Sequence, residues 1–123
     1  MDTETTSLDV RKARIVEIGA ASMIDGRMER TGTFSTHVNP GEPIPDESRL
    51  IHGITDDMVK QAPAFDVAYR SYLAFAGDSV ILGYSLGFDL AVLKAEHERA
   101  GLPWKAPRSL DVRDLVRILN PPL

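Results

Sequence analysis

Cysteine is absent from the 123 residues, which excludes a disulfide scaffold and a cysteine-ligated zinc site. Long apolar runs are missing as well: the stretches at 15–24 and 80–82 are short or interrupted, far below the roughly 18 residues that a membrane span requires. No basic, apolar, small-residue signal pattern opens the chain, so a reducing, cytoplasmic setting without a membrane partner is expected. Excess positive charge is also lacking. Against 18 acidic side chains stand 14 basic ones, a formal net charge of -4. That balance excludes a protein that holds nucleic acid mainly by blanketing phosphates with Lys and Arg. It leaves open chemistry in which carboxylate-bound cations reverse the local charge. The remainder is ordinary for a globular chain, 43% hydrophobic and 26% charged. One domain over 1–123 is expected, since domains typically run about 100 to 150 residues.

Residues 13–24 form a β-branched run that ends at Asp25-Gly26, and a second alternating run covers 28–38. Asp-Gly supplies the positive φ angles of a tight two-residue turn, so the segment predicts a hairpin. Prolines at 40, 43 and 45 stop strand pairing and predict a loop. Thr55 before Asp56 and Asp57 has the form of a capped helix start, with a short helix through Val59. Phe65, Ala68, Tyr69, Tyr72, Leu73 and Ala76 follow helical spacing up to Gly77. Residues 79–83 predict a buried strand in a parallel pairing. A helix is expected from about Phe88 to Ala100, closed by Gly101 and Pro103. A last strand at 110–112 and a helix over 113–119, stopped by Asn120-Pro121-Pro122, complete the pattern. Strands alternating with helices describe an α/β fold with a mixed sheet.

Three acids stand out. Asp2 and Glu4 are separated by one residue, so in an extended chain both side chains point the same way, roughly 7 Å apart. They are either metal ligands or two solvated acids on a frayed end. In Gly83-Tyr84-Ser85-Leu86-Gly87-Phe88-Asp89, Asp89 follows a buried strand at the start of a helix. Open α/β sheets place ligands there, and capping residues also sit there.

Taken in order, Asp2-Thr3-Glu4-Thr5-Thr6 with Leu8, Ile51-His52-Gly53-Ile54-Thr55, and Gly83 to Asp89 resemble successive motifs of the DEDD-type 3'-5' exonucleases. The resemblance is to the histidine-containing branch that includes proofreading subunits of polymerases. The resemblance implies a ribonuclease-H-like mixed β-sheet flanked by helices. It also implies hydrolysis of terminal phosphodiesters of single-stranded DNA or RNA to nucleoside monophosphates, with two divalent cations, Mg or Mn. One cation of such a pair activates the attacking water while both neutralise charge on the reacting oxygens. By the same resemblance, Asp2, Glu4 and Asp89 are the catalytic metal ligands. Thr5, Thr6, Leu8, His52 and Phe88 would contact the terminal nucleotide, where stacking is tolerant of base identity. A single-stranded 3' end, and a polymerase or other protein, are the implied partners.

The chain departs from the family pattern at three places. The last family motif, a His followed five residues later by Asp, supplies the general base and a fourth ligand, and it is absent. His37, His52 and His97 are followed at that distance by Glu42, Asp57 and Leu102, and the His52–Asp57 pair lies within the central motif. The general base is therefore unassigned. Met1 directly precedes Asp2, where the family has a full hydrophobic strand, so both ends look truncated. Tyr84-Ser85 and Ser7 replace the usual His-Asn and Gly. Two alternatives stand beside the exonuclease: a non-catalytic or truncated module that binds nucleic acid or a protein, and an incomplete domain that dimerises through exposed sheet edges.

Overall fold

The computed structural model describes residues 1–25 and 27–114. Gly26 of the expected turn and most of the closing helix expected over 113–119 lie outside the described residues.

Strand β1 (Asp2–Thr5) pairs antiparallel with β2 (Ile15–Ile24), which pairs antiparallel with β3 (Arg27–His37). Ile24 faces Arg27 across the tight turn that Asp25-Gly26 predicts. The prolines then release the chain from the sheet. Helix α1 (Asp46–His52) follows, then α2 (Asp56–Val59) and α3 (Phe65–Ala76). Thr55 caps α2, its Oγ1 accepting from the Met58 N–H at 3.4 Å. Strand β4 (Ile81–Gly83) leads into α4 (Leu86–Arg99), and β5 (Ser109–Asp111) pairs with β4 in parallel as expected, although Ser79 and Val80 of the expected buried run lie outside the strand and are exposed. The Met1 amine donates to the Leu82 carbonyl at 2.7 Å, which sets the start of β1 beside β4. The result is a ribonuclease-H-like mixed α/β fold. Among the described residues, no helix is long and apolar enough to cross a membrane.

Three details differ from the sequence expectation. Helix α1 has no periodic apolar face to announce it: its buried residue is Ser48, while Leu50 and Ile51 are 87% and 68% exposed. Helix α4 begins two residues earlier than expected, so Asp89 falls inside its first turn instead of at its cap. The acid at position 2 lies within a strand of its own, since Asp2–Thr5 already makes the ladder with β2.

The main core gathers Ile15, Ile18, Phe65, Tyr72, Ile81, Val92 and Leu93, which joins the sheet to α3 and α4. Val16, Ile44, Ile54 and Val59 form a second cluster under α2. Ile15 and Val16 are adjacent yet serve different clusters, as side-chain alternation along a strand demands. Gly83 sits where space is shortest: a Cβ there would lie 2.9 Å from both Leu86 Cγ and the Met1 carbonyl oxygen. Glycine thus lets the β4–α4 turn close over the start of β1.

That turn is held from outside. Ser85, the N-cap residue, has φ 56 and no side-chain cap bond. The N–H groups of Ser85 and Leu86 donate instead to Asp111 Oδ1 and Oδ2, at 3.1 and 2.9 Å. Asp111 therefore caps α4 from β5, a carboxylate placed at the positive end of the helix dipole. The Arg113 N–H, then those of Leu86 and Ser85, hold the Asp111 carboxyl below its ordinary range. A carboxylate lowered on folding stabilises the fold above the ordinary carboxylate range, and that contribution is lost as the pH falls through its folded value. Asp111→Ala is accordingly expected to lower the melting temperature at neutral pH and to have no effect in strong acid. Thermal unfolding followed by circular dichroism at both pH values checks this, and equal shifts at both would exclude an electrostatic cap.

Candidate active site

Asp2 and Glu4 project from one side of β1 while Thr3 and Thr5 turn inward and are buried. Helix α4 brings the third acid across. Asp89 is 6% exposed, and its Oδ1 accepts from the Thr3 N–H at 3.1 Å and from the Thr3 hydroxyl at 2.5 Å. These bonds tie the first turn of α4 to the centre of the Asp2-Thr3-Glu4 motif.

The three carboxylates feel one another. Burial is the main cause that raises the Asp89 carboxyl above its ordinary range; the Thr3 hydrogen bonds oppose it, and the nearby Asp2 charge adds to it. Burial also raises the Glu4 carboxyl, followed by the charge of Asp2, with Glu17 and Asp89 adding smaller amounts and His52 acting in the opposite sense. Like charges lie near one another here and, among the described residues, no cationic side chain is bonded to Asp89, an arrangement that a divalent cation stabilises. Carboxylate oxygens are the donors that hard cations such as Mg and Mn prefer. Among the described residues, no three His, Cys, Asp or Glu side chains form a ready-made metal cluster. Mg is commonly held by one or two carboxylates together with waters and substrate phosphates, so an open, partial donor set suits it.

His52, at the end of α1, reaches the same strand. Its Nδ1 accepts from the Ile54 N–H at 3.0 Å, which requires Nε2 to carry the proton and donate to the Thr5 carbonyl at 3.1 Å. Both ring nitrogens are thus engaged, and His52 ties α1 to β1. The other histidines are also held. His37 Nε2 lies 3.2 Å from Glu17 Oε2, and His97 Nδ1 donates to the Leu93 carbonyl at 2.7 Å within an aromatic box of Phe65, Tyr69 and Trp104.

Beside Glu4, a narrow cleft of about 40 Å³ is also lined by Thr5, Ser7, Leu8, Ser48, Ile51 and His52. It shares Ser7, Leu8, Ser48 and Ile51 with a wider cleft of about 770 Å³ that also touches Thr6, Arg11, Lys12, Arg14 and Arg99. Leu8 is 79% exposed and stands at their common rim. Thr5 donates its hydroxyl to the Ser7 carbonyl at 2.7 Å. Thr6 is buried, its Oγ1 accepting from the Arg14 N–H at 3.0 Å and its carbonyl accepting from the Ser48 hydroxyl at 2.6 Å. Phe88 is half-buried against the main core and does not line the narrow cleft. The structure therefore gathers Glu4, Thr5, Leu8 and His52 around one opening, and ties Asp89 to β1 through Thr3.

Sequence reasoning did not assign roles to Thr3, Ile51 or Asp111. Thr3 was open to inference, since the residue between two outward acids must face inward. Leu110-Asp111 shares in the family resemblance, but nothing local shows that Asp111 caps α4.

A mixed sheet flanked by helices, with Asp2 and Glu4 on one strand and Asp89 tied to that strand through Thr3, places the chain in the ribonuclease-H-like class. Comparison with known proteins gives the family. A model described as Exonuclease matches residues 1–122, and the chain belongs to the DEDD-type exonuclease family. It is 38% identical over 107 residues to the DNA polymerase III subunit epsilon-like protein of Rhodobacter capsulatus, covering 86% of this chain and 15% of that protein. It is 30% identical over 120 residues to the PolC-type DNA polymerase III of Listeria innocua, covering 98% of this chain and 8% of the relative. The chain thus spans a small part of those relatives. Among solved structures it resembles exonuclease X in complex with 5' overhanging duplex DNA, with a TM-score of 0.75 and 29% identity, over 99% of this chain and 63% of that one. Escherichia coli exonuclease I with a dT13 oligonucleotide shares the fold at a TM-score of 0.75 and 18% identity, over 95% of this chain and 28% of that one. The family generally uses divalent metal ions.

Proposed function

We propose that this chain is the core of a 3'-5' exonuclease that hydrolyses the terminal phosphodiester of single-stranded DNA or RNA and releases nucleoside monophosphates. The observation that carries the proposal is the placement of Asp2 and Glu4 on one side of β1, with Asp89 tied to that strand through Thr3 and Glu4 lining a cleft rimmed by Leu8, Ile51 and His52. Asp2, Glu4 and Asp89 would hold two divalent cations, Mg or Mn, which when bound polarise the scissile phosphate and lower the pKa of the attacking water. Thr3 orients Asp89 by fixing Oδ1, which leaves Oδ2 without a hydrogen bond among the described residues. Leu8 and Ile51 offer apolar surface to the terminal base. His52 fixes the backbone at Thr5. Thr5, Thr6 and Phe88 shape the surroundings of that nucleotide. The DNA polymerase III names of the relatives support a polymerase as the protein partner.

A second reading is favoured by one specific feature: both ring nitrogens of His52 are engaged with backbone groups, so the histidine nearest Glu4 is not placed as the general base. General-base catalysis is typically worth about 10² to 10⁴-fold, so a module that binds a strand end without cutting it is the rival. Hydrolysis of a 5'-labelled single-stranded oligonucleotide with Mg or Mn, and with EDTA as control, separates the two. The expected result is a ladder that shortens from the 3' end and vanishes with EDTA. Binding without hydrolysis by the folded chain would overturn catalysis and establish the module.

A further inference from the structure

Glu96 is 1% exposed on α4, seven residues beyond Asp89 and therefore about two turns along the same helix. A buried carboxylate is costly unless it is paired and hydrogen-bonded. Here Oε1 accepts from Arg14 Nε at 2.6 Å and from Arg99 Nη1 at 2.8 Å, and Oε2 lies 3.5 Å from the Ile15 N–H. Arg99 reaches further, with Nη1 donating to the Ala13 carbonyl at 2.9 Å and Nη2 to the Arg11 carbonyl at 3.1 Å. Arg99 thus grips loop 7–13, between β1 and β2, Arg14 stands at the end of that loop, and both line the wider cleft.

The loop is itself closed by short bonds. The Lys12 and Ala13 N–H groups donate to the Asp9 carbonyl at 2.9 and 2.8 Å, and the Asp9 N–H donates to Ser7 Oγ at 3.0 Å. Leu8 is carried on this loop. A large apolar side chain left 79% exposed has no packing of its own to hold it. Its position beside the acids depends on the frame beneath it.

We infer that Glu96 is a positioning residue of the site: paired with Arg14 and Arg99, it locks loop 7–13 so that Leu8 stands over the terminal nucleotide. The inference rests on the nucleic-acid reading given under Proposed function. Without the Glu96 charge, two guanidinium groups face each other uncompensated, the loop loses its anchor on α4, and Leu8 no longer has one orientation.

The test is a double-mutant cycle read by fluorescence anisotropy of a labelled oligothymidylate, with Ca²⁺ as the cation. Glu96→Gln and Leu8→Ala are each expected to weaken binding about tenfold, and the double variant to bind no more weakly than either, because both remove the same contact. Glu96→Asp, which keeps the charge, is expected to restore part of the affinity. Additive losses would mean general loosening and overturn the inference, as would wild-type affinity in Glu96→Gln. Should Glu96→Gln fail to fold by circular dichroism, Arg99→Lys takes its place in the cycle, since a lysine cannot bridge Glu96, Ala13 and Arg11 together. Failure of the wild-type chain to bind the strand at all would overturn the proposed function along with this inference.

Discussion

Asp89→Asn is expected to abolish divalent-cation binding, measured by titration calorimetry, and to lower metal-dependent hydrolysis of a single-stranded end by about 10³-fold or more, the scale of losing metal stabilisation of the transition state. The substitution keeps the shape of the side chain. Its Oδ1 can still accept from the Thr3 N–H and hydroxyl, which hold Oδ1 of Asp89 now. In place of Oδ2, however, it presents an amide that repels a cation. The sign of the stability change separates this from misfolding. Burial raises the Asp89 carboxyl above its ordinary range, so ionisation costs the metal-free fold stability, and that cost is fully present above the raised value. Asp89→Asn removes it. The metal-free variant should melt at the same temperature as the wild type at neutral pH, or higher. Retained metal binding would remove Asp89 from the ligand set; a large fall in melting temperature would make its role structural.

The second large effect is on the fold itself. Leu93 is 1% exposed, one turn beyond Asp89, and packs with Val92, Ile15 and Ile18 in the main core. Leu93→Ala is expected to cost about 2–5 kcal/mol, from lost transfer energy and from the cavity left behind. Domains have only about 5–15 kcal/mol in total. Urea unfolding should show a lower midpoint with an unchanged slope, the mark of lost stability without a changed unfolded state. Because Asp89 and Glu96 ride on the same helix, metal binding and strand binding should fall together in this variant, whereas Asp89→Asn removes the first and leaves the fold intact. A loss below about 1 kcal/mol would mean that α4 is not anchored through Leu93.

The sequence by itself determined whatever depends on neighbours along the chain. The outward pairing of Asp2 and Glu4 follows from strand alternation, the β2–β3 hairpin from Asp25-Gly26, α3 from its apolar spacing and its stop at Gly77, and the α2 cap from Thr55. The ordered motifs also sufficed to indicate the exonuclease family. Helix α1 was hidden because its exposed Leu50 and Ile51 obscure any amphipathic pattern, although Gly53 closes it with φ 72. The remaining contacts join residues far apart along the chain. Thr3 meets Asp89 across 86 positions, Arg14 meets Glu96 across 82, and Asp111 caps α4 across 25 and 26. No local propensity encodes such pairs, since each exists only once the helices have docked on the sheet. The orientation of the His52 ring belongs with them: it is set by the Ile54 N–H on one side and the Thr5 carbonyl on the other, and those two groups converge only in the folded chain.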